Sequence, residues 1–298
     1  MVEILEQRTT ATDAAALDRL LQGFSVEVVS LDKASIRTAE AFLKPGTEVF
    51  VAGLPKDRIT KQVEAAVELR AGGMVPVPHI VARNIVNRVE LDSLLAALSR
   101  DAGVGSALVL GGDRDRPAGD YQSSLQLLES GLFEQNGIRR IHIACYPEGH
   151  KRIDDARLAS AMAEKLALAA DRGFDISLVS QFCFDARPIL AWTRALRLAG
   201  VTAPHRVGVA GVASTTALVK FALMCGVGPS LRALQERHDM AKKVLGGETP
   251  ERVLREVARE REENPSLAIS GAHFFTFGSL AKTIEWIRSL PEGKRMVN

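Results

Sequence analysis

The chain of 298 residues is 46% apolar and 25% charged, a composition suited to a soluble globular protein with a large core. Its net charge of +2 gives no electrostatic reason for a nucleic acid or an anionic membrane as partner, and no apolar stretch reaches the ~20 residues of a membrane span. Cys145, Cys183 and Cys225 lie far apart without a Cys-x-x-Cys pair, which argues against a disulfide framework and a zinc site and for reduced, buried thiols.

Met1–Glu6 lacks the basic start and apolar core of a signal peptide, so the cytoplasm is the expected location. Residues 1–23 read as an N-terminal helical extension. Phe24–Val29 is a β-rich run, and Ala34–Leu43 reads as a helix stopped by Lys44-Pro45-Gly46. Glu48–Val51 is a second strand, followed by an amphipathic helix over Ile59–Arg70 that Gly72-Gly73 closes. Met74–Val81 is a third strand with its helix at Leu91–Leu98, and Ser106–Leu110 a fourth with a helix over Tyr121–Leu132. In the second half, Arg140–Cys145, Asp175–Val179, Arg206–Ala210 and Ala268–Thr276 read as strands. Their helices are Asp154–Ala170, Pro188–Leu198, Thr215–Met224 and Leu280–Ile287. Two extra helices, Pro229–Leu245 and Pro250–Glu263, precede the last strand.

Eight strand–helix units close naturally into a parallel (β/α)8 barrel, of the TIM type, occupying residues 24–298 as a single domain. An open doubly wound sheet would need Gly-x-Gly-x-x-Gly after its first strand, and Ser30-Leu31-Asp32-Lys33 stands there instead.

Polar groups at the carboxyl ends of barrel strands are where this architecture keeps its chemistry. Three successive strand ends carry them: Leu110-Gly111-Gly112-Asp113, Tyr146-Pro147-Glu148-Gly149-His150 and Gln181-Phe182-Cys183-Phe184-Asp185. Glu27 lies inside an apolar strand, where burial raises a carboxyl pKa and suits it to general acid work, unless it points outward into a salt bridge. His79 ends the third strand as either a ligand-facing or a structural imidazole. The glycines before Asp113 allow close approach of backbone to a ligand, although the aspartate could equally cap a turn. Tyr146 and His150 suit a flat ligand with polar edges, and the Gln181 amide offers a donor and an acceptor to a heterocycle. Phe221 and Trp192 fall on helical spacing as core residues, Phe221 near the barrel mouth. No Ser/His/Asp order, phosphate loop or metal-spaced set appears, so redox or addition chemistry on a planar group fits better than hydrolysis.

In that order and spacing these motifs resemble the methylenetetrahydrofolate reductases, flavin-dependent eight-stranded barrels. The likeness runs from about Phe24 to about Phe277 and includes Ser25–Glu27, Pro78-His79, Gly112-Asp113 and His273-Phe274-Phe275-Thr276. It implies hydride transfer from NADH or NADPH through FAD to 5,10-methylenetetrahydrofolate, a one-carbon step toward methionine. Glu27 would be the general acid, and Asp113 would sit between flavin and pterin. Gln181 and Phe221 would contact folate, and His79, Gly112, Asp113, Tyr121, Tyr146 and His150 would line the flavin. A homo-oligomer is expected.

The chain also departs from that pattern. The family lysine that holds the flavin diphosphate falls on Ala169, and its asparagine on Lys165, which shares the helix face and could reach the same phosphates. Ser279 stands where an arginine contacts folate, and the loop Val207–Gly211 is reduced. Two alternatives follow: a reductase that takes hydride directly from the nicotinamide without flavin, and a folate-binding barrel without catalysis.

Overall fold

The computed structural model describes residues 13–53, 59–227, 249–290 and 297. The predicted helix over Pro229–Leu245 and the first half of the N-terminal extension lie outside the described residues. Helix α1 covers residues 13–21. The strands are β1 (Ser25–Val29), β2 (Glu48–Ala52), β3 (Val75–Val81), β4 (Ser106–Leu110), β5 (Arg140–Cys145), β6 (Asp175–Ser180), β7 (His205–Ala210) and β8 (Ile269–Phe275). They form a closed barrel in the order β1-β2-β3-β4-β5-β6-β7-β8, with β2–β3, β3–β4, β4–β5 and β7–β8 paired in parallel. Between them run α2 (Lys33–Phe42), α3 (Ile59–Ala71), α4 (Arg88–Ala102), α5 (Ser124–Glu129), α6 (Leu132–Gln135) and α7 (Asp155–Arg172). After β6 come α8 (Ala186–Leu198), α9 (Thr215–Cys225), α10 (Glu251–Glu263) and α11 (Leu280–Ser289). The fold is an α/β TIM barrel.

Most boundaries follow local chemistry. Helix α4 runs from the Asn87 side chain, which accepts from Glu90 N, to Gly103 in the left-handed conformation. The predicted helix over Tyr121–Leu132 is corrected. Ser123 and Gln126 form a capping box that starts α5 only at Ser124, and Gly131 (φ 74°) separates it from the short α6. Tyr121 therefore precedes the helix and lies buried in the loop before it.

The chain divides into two compact units, one of Glu27–Cys145 with Arg152–Val179, the other of the chain up to Val26, Tyr146–Lys151 and everything from Ser180 onward. In the first, Phe50, Val77, Leu108 and Val179 form a buried apolar cluster. Strand β3 contains Pro76 and Pro78, whose Cα partners are Val49 and Val51 of β2. Proline is rare in a paired strand because it cannot donate. Two residues apart, these prolines remove N–H groups from one edge only. That edge is the one away from β2, since Val75 N donates to Thr47 O on the β2 side; on the β2 side the buried Gln62 of α3 donates from Nε2 to Val51 O at 3.0 Å and to His79 O at 2.8 Å.

In the second unit α1 buries Leu17, Leu20 and Leu21, and its Asp13 and Arg19 pair with Arg259 and Glu262 of α10. Two histidines are wholly buried. His273 Nδ1 lies 2.8 Å from Ser25 Oγ, and His205 Nδ1 lies 3.0 Å from Thr193 Oγ1. The Thr193 hydroxyl already donates to Ile189 O, so it accepts from His205, which fixes the proton on Nδ1. Burial lowers both imidazoles to a pKa of about 3.

Between that value and the ordinary ~6.5, the unfolded chain binds protons that the native state does not, so stability is full above about pH 6.5 and falls with acidification. Each histidine contributes a slope of up to about 1.4 kcal/mol per pH unit. Urea unfolding at pH 7.5 and 5.0 is expected to show the loss, and His205→Leu is expected to flatten the slope. An unfolding free energy unchanged between those pH values would show that neither imidazole is held neutral.

Candidate functional site

Glu27 is the central residue of β1, on the face opposite the fully buried Val26 and nearly buried Val28. Its Oε2 lies 3.4 Å from His79 Nε2, with the side chains 21% and 8% exposed, respectively. The two come from alternate strands, as the layers of a barrel interior require. The outward salt bridge with a helix is thereby replaced by an inward pair. Desolvation raises the Glu27 pKa, and the nearby imidazole opposes the rise. Phe50 packs edge-on to His79 (ring centroids 6.3 Å apart) and to His142 (5.0 Å), giving the pair an apolar wall.

The loop after β4 is held by arginines. Arg83 N donates to Gly111 O, Arg83 Nη1 to Arg114 O at 2.9 Å, and Arg152 Nη1 to Asp113 O at 3.0 Å. Asp113 is exposed, its backbone fixed by these contacts. Gly112 has φ 101°, and a Cβ placed there would lie 2.5 Å from Val81 Cγ1. The glycine requirement read from the sequence is therefore real, and its cause is the neighbouring strand. Tyr121 is 8% exposed, and burial raises its hydroxyl pKa.

The Tyr146 and His150 rings meet edge-on at 4.9 Å. Gln181 turns its Oε1 onto Phe182 N at 3.1 Å, leaving the amide nitrogen as its outward donor. Phe221 stacks on Phe277 at 4.4 Å and 18°, and Phe182 packs against Phe184, Phe275 and Phe277. Asp185, the last residue of the Gln-Phe-Cys-Phe-Asp motif, caps α8 through Arg187 N. Its carboxylate also takes both arms of the Arg187 guanidinium, which lowers its pKa to about 2. That aspartate is architectural.

The sequence did not reveal Gln62. A polar residue on a helix reads as solvated, and nothing local signals a carbonyl on another strand.

The residues where the resemblance puts a flavin diphosphate do not make a cradle for it. Ala169 is buried and apolar, and Lys165 is half-buried with its Nζ 3.4 Å from Ser124 Oγ. No group of three or more metal-ligating side chains occurs among the described residues, and no helix there is long and apolar enough to cross a membrane.

The class defined by this architecture is the TIM barrel, and no protein-family profile matches the chain. A Clostridium thermocellum protein that binds two copies of 5-methyl-5,6,7,8-tetrahydrofolic acid is similar in structure, with a TM-score of 0.55 and 11% identity. The match covers 90% of this chain and 98% of that one. A 2,3-dimethylmalate lyase of the PEP mutase/isocitrate lyase superfamily follows at TM-score 0.49 and 12% identity, covering 95% and 88%. An oxaloacetate acetylhydrolase follows at 0.48 and 14%, covering 91% and 80%. At such identities the likeness shows the fold. The expectation of a methylenetetrahydrofolate reductase is corrected: no protein-family profile supports it, and the similar folate-binding barrel shares the fold alone. The altered face of α7 is the physical counterpart of that correction.

Gly112→Ala is expected to destabilise the protein by about 1–3 kcal/mol in urea unfolding, because it adds both strain and a clash. Gly111→Ala, with open space around its Cβ position, is the control and is expected to change stability far less. Equal effects at the two positions would refute the account.

Proposed function

We propose that this chain is a folate-binding barrel that recognises the pterin ring of a reduced folate through Glu27 and His79. The observation that carries the reading is the inward carboxyl–imidazole pair, 3.4 Å apart against the Phe50 wall. The N3–H and 2-amino group of a pterin form a planar pair of donors, and a carboxylate accepts two parallel bonds from such an edge. In a partly desolvated setting those bonds are strong and a missing partner is costly. The fold likeness to a protein that binds 5-methyltetrahydrofolate supports this ligand class. Glu27 serves here as a recognition group, and His79 opposes the rise that burial gives its pKa. The role that the resemblance assigns to Asp113 is tested by the same titration.

Calorimetric titration with 5-methyltetrahydrofolate is expected to give saturable binding. Glu27→Gln is expected to weaken it by roughly ten- to a hundredfold, the worth of one or two charge-assisted bonds. Because the Glu27 pKa is raised, the free protein loses its carboxylate acceptor at a higher pH than an ordinary glutamate would. Affinity is therefore expected to decline on acidification before that range is reached. No heat at millimolar ligand, or unchanged affinity in Glu27→Gln, overturns the proposal.

A further inference from the structure

Arg83, Arg114 and Arg152 meet at the loop that follows β4, in the unit that also holds Glu27 and His79. They come from three successive strand ends, Arg83 just after β3, Arg114 within the loop and Arg152 beyond β5. Arg83 donates from Nε to Gln122 O at 3.3 Å and from Nη1 to Arg114 O at 2.9 Å. Arg114 Nε donates to Asn84 Oδ1 at 2.9 Å, and Arg152 Nη1 to the exposed Asp115 carboxylate at 2.7 Å. Both Arg83 acceptors are neutral carbonyls, which orient the guanidinium without cancelling its charge. Its Nη2 bonds no described residue and is the arm that remains for a ligand.

The cluster stands over the recognition pair. Period-two alternation puts Val77, His79 and Val81 on one face of β3, where His79 meets Glu27. The loop crosses that face, since a Cβ at Gly112 would lie 2.5 Å from Val81 Cγ1 and 3.5 Å from Arg83 Cβ. From His79, two strand residues and two of the 3₁₀ turn (Ala82–Asn84) carry the backbone about 10 Å onward to Arg83. The arginine side chain extends farther.

We infer, on the folate reading above, that these arginines form the subsite for the glutamyl carboxylates, with Arg83 as the principal contact. With the pterin edge on Glu27, the aminobenzoyl spacer carries two carboxylates away from the pair, to a rim lined with guanidinium groups. A guanidinium pairs with a carboxylate through charge-assisted, often bidentate bonds. Arg83 is already ordered by its two bonds, so little side-chain freedom is lost on binding. Asp115 competes for Arg152 and makes that arginine the lesser contributor. The ligand class narrows to folates with a charged glutamyl tail, over free pterins.

The test compares calorimetric titrations with 5-methyltetrahydrofolate and with its glutamyl diamide, which has the same shape but a neutral tail. The acid is expected to bind at least tenfold tighter than the diamide, a preference that shrinks as salt is added. Arg83→Gln is expected to bring the ratio of the two affinities near one, and Arg152→Gln to lower it a few-fold. Glu27→Gln is expected to weaken both ligands alike. Equal affinities for acid and diamide, with Glu27→Gln still weakening both, overturn the tail subsite and leave the pterin reading standing. A preference that survives both arginine substitutions also overturns the subsite. No binding of either ligand overturns both readings.

Discussion

A carboxyl group placed among Val26, Val28 and Val29 is costly, and the imidazole of His79 at 3.4 Å makes the position tenable. Much of the first unit is arranged around that pair. Gln62 donates to the His79 carbonyl, Phe50 shields the ring, and the cluster of Phe50, Val77, Leu108 and Val179 excludes water beneath it. The same closure of eight strands that provides a core thus provides one place where an ionisable pair can persist.

The second unit solves a comparable problem differently. His205 and His273 are wholly buried beside hydroxyls and are kept neutral. One architecture therefore holds histidines in two regimes, one beside an acid and two beside alcohols. The second kind ties neighbouring elements together, His273 to Ser25 of β1 and His205 to Thr193 of α8.

The alternation of β-branched runs with 3.6-residue periodicity was enough to read the barrel, because burial imposes those periods along the chain. Glu27 inside its strand and His79 at the end of another stood out as single residues, but nothing in the sequence paired them. What could not be read were pairings between distant positions. Ser25 meets His273 across 248 residues, and no local pattern announces that contact. Asp185 belonged to a motif that suggested chemistry, yet its geometry is that of a helix cap tied to Arg187. The reductase expectation erred for a related reason. A barrel rim admits many chemistries, so motif likeness at the strand ends fixes the scaffold more firmly than the reaction.

The two prolines of β3 also bear on how this chain avoids its own copies. Before the barrel closes, a strand edge is a template onto which another molecule can add a strand by backbone pairing. Pro76 and Pro78 withdraw two donors from one edge of β3, so a foreign strand docking there finds an interrupted ladder. The ladder to the native neighbour β2 is untouched, because Val75 N–H points to Thr47 O on that side and the prolines, offset by one residue, face the other edge. Self-association during folding is thus disfavoured at that edge by the same feature that the finished barrel accommodates.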